Sequence, residues 1–251
     1  MRGSFGRNNF VFRRAAAYSS EYTDNVATAK GVSVKTFSLI FVTMIAALFG
    51  IFVLGPIGVM SLYLPIVIAD IVLLLIMTFA PATTKWLSIP YAVLEGLMIG
   101  AIVGILEIAL PGLGFSIGAT AFVVTMAIFL VASVLYLSGA IRVSNKFRKF
   151  MFTALISLAL ASLIISIMSI FSPGIAYVFS YGPIAFLISI IYVVIASIYV
   201  VVSLDNAYNI VENGLSKEYE WYAAFGILIN IIWLFYEVLR IIIMIVARNR
   251  D

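Results

Sequence analysis

The 251-residue chain has no cysteine and no histidine. The first absence excludes disulfides, thiolate nucleophiles and cysteine-based zinc or iron–sulfur sites. The second removes the commonest metal ligand and the usual proton switch near neutral pH. Chemistry that moves protons or cations therefore falls to carboxylates. Asp70, Glu95, Glu107, Asp205, Glu237 and Arg240 all lie inside or at the ends of otherwise apolar runs. A charge at the centre of a bilayer costs roughly 2.5–3.5 kcal/mol on insertion scales. Such residues face a bundle interior, pair with one another, or stay protonated. Asp70 has no basic partner on its own segment, and it is read with Glu95 and Glu237 as a station on an ion or proton path. Glu107 ends its segment and reads as interfacial. Glu237 and Arg240 are three residues apart, which also fits an intrahelical pair. No HExxH, GxSxG, Walker lysine or GxGxxG motif occurs, so no enzyme activity and no cofactor is expected. Asp70 and Asp205 are the only aspartates an intramembrane aspartyl protease could use. Neither sits in the Tyr-Asp or Gly-x-Gly-Asp setting of such enzymes.

The elements that must hold these residues are membrane helices. Hydrophobic residues make up 64% of the chain and charged residues 10%, against roughly 45–50% and 25% in soluble domains. No charge occurs between Lys35 and Asp70, between Glu107 and Arg142, or between Lys149 and Asp205. A helix crosses the hydrocarbon in roughly 20 residues. The pattern predicts seven spans: Thr36–Leu54, Gly58–Phe79, Ile89–Ile108, Gly118–Tyr136, Phe150–Phe171, Pro183–Leu204 and Tyr222–Val246. Gly55-Pro56, Pro81, Pro111-Gly112, Ser172-Pro173-Gly174 and Gly182-Pro183 punctuate the connections. The expected fold class is an all-α integral membrane bundle over residues 36–251, preceded by a polar cytoplasmic tail over residues 1–35. A short surface helix is expected near Val11–Tyr18, with arginines close to anionic headgroups. Gly96, Gly100 and Gly104 form a GxxxGxxxG stripe, which predicts a close helix–helix contact. Asn230, Trp233 and Glu237 share one face of the last span.

Orientation follows from the basic residues beside the spans. Arg2, Arg7, Arg13, Arg14, Lys30, Lys35, Lys85, Arg142, Lys146, Arg148, Lys149 and Lys217 fall on one side, and Arg248 and Arg250 on the other. The N-terminus is expected in the cytoplasm and the C-terminus outside, with the chain a multi-pass protein of the cell membrane. The net charge of +4 reflects this asymmetry and is not the footprint of a nucleic-acid binder.

Several runs carry a family resemblance. Glu220-Trp221-Tyr222-Ala223-Ala224-Phe225-Gly226, leading into Ile232-Trp233-Leu234-Phe235-Tyr236-Glu237-Val238-Leu239-Arg240, resembles the last helix of the Bax inhibitor-1 (TMBIM) family, in its bacterial YccA-like branch. Ile141-Arg142-Val143-Ser144-Asn145-Lys146-Phe147-Arg148, Leu204-Asp205 with Ile210-Val211-Glu212-Asn213-Gly214, and Pro90-Tyr91-Ala92-Val93-Leu94-Glu95-Gly96 are similar to it as well. The resemblance implies seven helices with the last one central, and a pH-sensitive calcium leak channel. It also implies a cytoplasmic latch between the end of the sixth helix and the seventh, made in a relative by two aspartates that share a proton. Asp205 matches the first position and Asn230 the second, so one carboxylate of the pair is replaced by an amide. Asp70 matches a third family carboxylate. A basic cluster that follows the second helix in that relative is replaced by Ala80-Pro81-Ala82.

Two adjacent carboxylates titrate as a unit, whereas Asp205 beside Asn230 is an acceptor facing a neutral donor. The expected function is a passive, pH-sensitive cation leak, with Asp205 and Asn230 as the gate. Asp70, Glu237 and Glu95 line the path, and Asp70 and Asp205 are hard oxygen ligands suited to calcium. The lipid bilayer and calcium or protons are the expected partners. Two other readings stay open: a regulatory protein that binds a membrane protease or another protein, and a proton-coupled transporter.

Overall fold

The computed structural model describes residues 26–172, 174 and 183–248. The surface helix expected near Val11–Tyr18 lies outside the described residues. Among the described residues every element is helical, apart from an isolated bridge between Val26 and Ser216. The helices are α1 (Ala29–Phe49), α2 (Gly55–Ser61), α3 (Tyr63–Phe79), α4 (Thr84–Ala109), α5 (Gly114–Leu137), α6 (Asn145–Phe171), α7 (Pro183–Glu212) and α8 (Tyr219–Arg248). Six of them, all but α2 and α3, are long and apolar enough to cross a membrane.

The second expected span, Gly58–Phe79, is not one helix. A π-turn over Gly50–Leu54 ends α1, and the chain re-enters helix at Gly55, whose φ of 70° suits glycine. The helix then breaks at Leu62. Pro65 is the cause: it has no N–H for the Ser61 carbonyl, and its ring crowds that carbonyl. The remaining α3 has 17 residues, about 25 Å at 1.5 Å per residue, short of the roughly 30 Å hydrocarbon core.

The sixth expected span, Pro183–Leu204, also differs. α7 runs on to Glu212, so Asp205 lies within the helix and not at its end. A helix can continue past a charge that has partners, and Asp205 has them. It stops where Gly214 adopts a φ of 63°. There Gly214 N–H donates to the Val211 carbonyl and Leu215 N–H to the Ile210 carbonyl, the two bonds of a Schellman cap.

Two glycines of the stripe lie against the backbone of α1. A Cβ at Gly96 would collide with the Thr43 carbonyl of α1, and one at Gly100 with the Ala47 carbonyl. Gly104, on the same stripe, is buried. α8 packs against α1, α4, α5 and α7, and its buried side chains join two apolar clusters that reach most of the bundle. α6 is the outlier. Met151 is its one buried residue, and it holds to α7 through polar contacts: Tyr199 donates to the Met151 carbonyl at 2.5 Å, and Ser162 bonds Tyr192 at 3.2 Å.

Candidate functional site

Three groups of polar residues lie within the apolar bundle. The first surrounds Asp205. Its Oδ2 accepts from the Arg148 guanidinium, which the first turn of α6 brings in, in an ion pair. Its Oδ1 accepts from the Tyr136 hydroxyl of α5 at 3.1 Å. Asn209, one turn on, donates to the Asp205 carbonyl at 2.6 Å and to Oδ2 at 3.2 Å. Ser144 caps α6 by accepting from Phe147 N–H at 3.2 Å, which fixes the turn that carries Arg148. The Asp205 and Arg148 side chains keep 12% and 24% of their exposure, so most of this pair is withdrawn from water. A charged hydrogen bond of this kind is roughly twice as strong as a neutral one.

The expected contact between Asp205 and Asn230 is not made. The partners of Asp205 come from α5, α6 and its own helix, and Asn230 donates instead to the Gly226 carbonyl of its own helix at 3.0 Å. A buried carboxylate is better satisfied by a guanidinium than by an amide, and Asn can return its donor to the turn below.

The second group joins α3, α4 and α8. Glu95 of α4 accepts from Tyr91, one turn back, at 2.8 Å and from Tyr236 of α8 at 3.1 Å. The Tyr91 ring packs edge-on against Phe225 at 5.1 Å, which holds its hydroxyl in place. Asp70 of α3 lies within electrostatic reach of Glu95 and of both tyrosines. Its Oδ1 is buried with no hydrogen-bond partner among the described residues. Two of the three expected path residues therefore come together, on helices that the sequence alone does not pair. The third, Glu237, stands apart, with Oε1 accepting from Trp233 at 3.4 Å and Oε2 buried without a hydrogen bond. The charge of Arg240 acts on it, and Trp233 packs against Tyr199 at 5.7 Å.

Asp70 and Asp205 do not share a site. Among the described residues no three acidic groups converge as a metal cage would require. Asp70 and Glu237 each keep one buried oxygen without a hydrogen bond among the described residues, whereas both oxygens of Asp205 and of Glu95 are engaged.

The third group was not foreseen. Glu220, at the start of α8, is fully buried. It accepts from the Thr28 N–H at 2.8 Å, from the Thr28 hydroxyl at 3.0 Å and from the Lys35 ammonium. A Cβ on Gly31 would strike this carboxyl. Lys35 also lies 5.4 Å from the Trp221 ring centre. Ala27 N–H donates to Leu215 at 2.7 Å, so the chain entering α1 is clasped to the α7–α8 connection. Glu107 likewise has a structural role. It accepts from Gly112 N–H at 2.6 Å and from Phe115 N–H at 3.0 Å, closing the α4–α5 turn.

Among curated proteins, none matches the chain. A family model described as Bax inhibitor 1 like matches residues 8–247. That match takes in all the described helices but the last residue of α8, together with Asp205, Glu95 and the tyrosines around them. The chain therefore belongs to the Bax inhibitor 1 like family, as a multi-pass membrane protein.

Proposed function

We propose that the protein is a passive, pH-sensitive cation leak of the cell membrane, with calcium as the favoured ion and the N-terminus in the cytoplasm. The observation that carries this reading is a pair of buried carboxylate oxygens inside an apolar bundle, on Asp70 and Glu237, that have no hydrogen-bond partner among the described residues. A purely structural carboxylate would have its oxygens satisfied, because an orphaned buried acceptor costs roughly 1–3 kcal/mol. Unfilled hard oxygens suit a hard cation in transit. Family membership is compatible with a channel.

In this reading the Arg148–Asp205 pair is the gate, and Asn230, bound to the Gly226 carbonyl of its own helix, does not close it. An aspartate dyad latches by sharing a proton. Here the latch is an ion pair, which needs Asp205 ionised. Loss of the attraction between Asp205 and Arg148 frees α6 from α7, where few other contacts hold it. Calcium flux into proteoliposomes at several pH values tests this on the wild type, Asp205→Asn and Asn230→Asp. The wild type should respond to acid, Asp205→Asn should leak at all pH values with a flat profile, and Asn230→Asp should steepen the response. No flux from any of them at any pH refutes the channel reading.

A further inference from the structure

A second site lies on the side of the bundle away from Arg148 and Lys35. α1 and α5 stand apart there, each packed on α4 and α8, and between them opens a cavity of about 230 Å³. Met44 and Leu48 of α1 and Phe115 and Ala119 of α5 form its exposed mouth, and Val103, Ile231 and Phe235 its buried floor. At Gly118 α5 lies close on α4, where a Cβ would press on Val103 at 2.8 Å, and this contact closes one side of the cavity.

The lining offers nothing polar to a ligand. Thr43 and Thr125 line the cavity, but their hydroxyls are committed to the Leu39 and Ala121 carbonyls at 3.0 and 2.7 Å. A water needs roughly two to four polar partners, so the space is dry although it is large enough for water. Left empty, its walls forfeit dispersion contacts. Phe52 stacks on Phe115 with ring centres 5.7 Å apart and closes the space towards the α4–α5 turn. The way in is thus sideways, from hydrocarbon. The charged group beside that turn is Glu107, bound to Phe115 N–H, and it would repel the carboxylate of a free fatty acid.

We propose that this window is a binding site for one acyl chain of a bilayer phospholipid, seated against the middle of α8. The chain supplies the missing dispersion contacts and asks for no hydrogen bond.

The test is native mass spectrometry of the full chain, extracted from liposomes of phosphatidylcholine and phosphatidylglycerol doped with oleic acid. The wild type should retain one phospholipid through detergent exchange. Ala119→Trp, which plugs the mouth from α5, should lower that occupancy roughly tenfold, equivalent to about 1.4 kcal/mol. Leu48→Trp, which plugs it from α1, should do the same and serves if the first variant does not fold. Val131→Trp, on the opposite, exposed face of α5, should keep the lipid. A wild type with no retained phospholipid, equal retention in all variants, or retention of oleate in its place overturns the proposal.

Discussion

At the scale of single residues, partners decide what each carboxylate does. Asp205 is engaged by charge, and Arg148 is its counter-ion. Removing one member of a buried pair is worse than removing both, because it leaves an uncompensated charge; the cost reaches about 3–5 kcal/mol when burial is complete. Arg148→Gln is expected to raise basal calcium flux at neutral pH, and to destabilise the protein by less than that limit because the guanidinium keeps some exposure. Flux and thermal unfolding on one preparation check both. Glu220 is a structural counterpart. Its truncation to Ala strips Thr28 and Lys35 of their acceptor, and a loss of about 1–3 kcal/mol is expected, read as a lower melting temperature in detergent. Unchanged stability would mean that the N-terminal clasp is dispensable.

Part of this was legible in the chain itself. Asp70, Glu95, Asp205 and Glu237 stand out because charges are scarce in apolar runs. Their partners do not, because spacing along one helix carries no information about the facing helix. Arg148 counts among the loop cations in the sequence, yet its long side chain reaches back to α7. Glu220 opens the run that resembles the last helix but precedes the predicted span Tyr222–Val246, and its spacing names no partner. Its burial depends on Gly31 and on Thr28, which is 192 positions away.

At the scale of elements, α1 and α4 depend on glycine and α3 on proline. Gly100→Leu must push α1 away from the Ala47 carbonyl. Overpacking of this kind typically costs about 1–3 kcal/mol, and the expected result is a greater loss of thermal stability than any single loop substitution causes. An unchanged melting curve would place that face against lipid. The GxxxGxxxG repeat announced this contact, since a face without side chains has one common use in a membrane. The break at Leu62 was less visible. Hydropathy continues straight through it, and only Pro65 marks the carbonyl that loses its donor. The end of α7 was misjudged for the opposite reason: Asp205 reads as a boundary by its charge, but Asn209 and Arg148 absorb that charge, and Gly214 ends the helix.

At the scale of the whole molecule, charge and aromatic residues mark one end. Lys35, Lys85, Arg148 and Lys217 cluster there, with Trp86 exposed and Trp221 beside Lys35, as at a membrane–water interface. We predict that tags at the N-terminus and in the Arg142–Lys149 segment are cytoplasmic and that a tag after Arg248 is external. A cytoplasmic C-terminus would mean that α2 and α3 together do not cross the bilayer. Arg148 belongs to that basic end, and its ion pair ties Asp205 to it. The proposed gate thus stands at one mouth of the proposed path.

In the proposed mechanism, attraction between Arg148 and Asp205 holds the path shut. The decisive measurement is calcium influx into proteoliposomes at neutral pH for the wild type, Arg148→Asp, Asp205→Arg and the double exchange. Each single exchange sets like charges against each other and should raise influx well above the wild type. The double exchange restores opposite charges in reversed order and should bring influx back towards the wild-type rate. Equal influx in all four proteins, or a double exchange that leaks as much as the sum of the singles, would mean that this pair is not the gate.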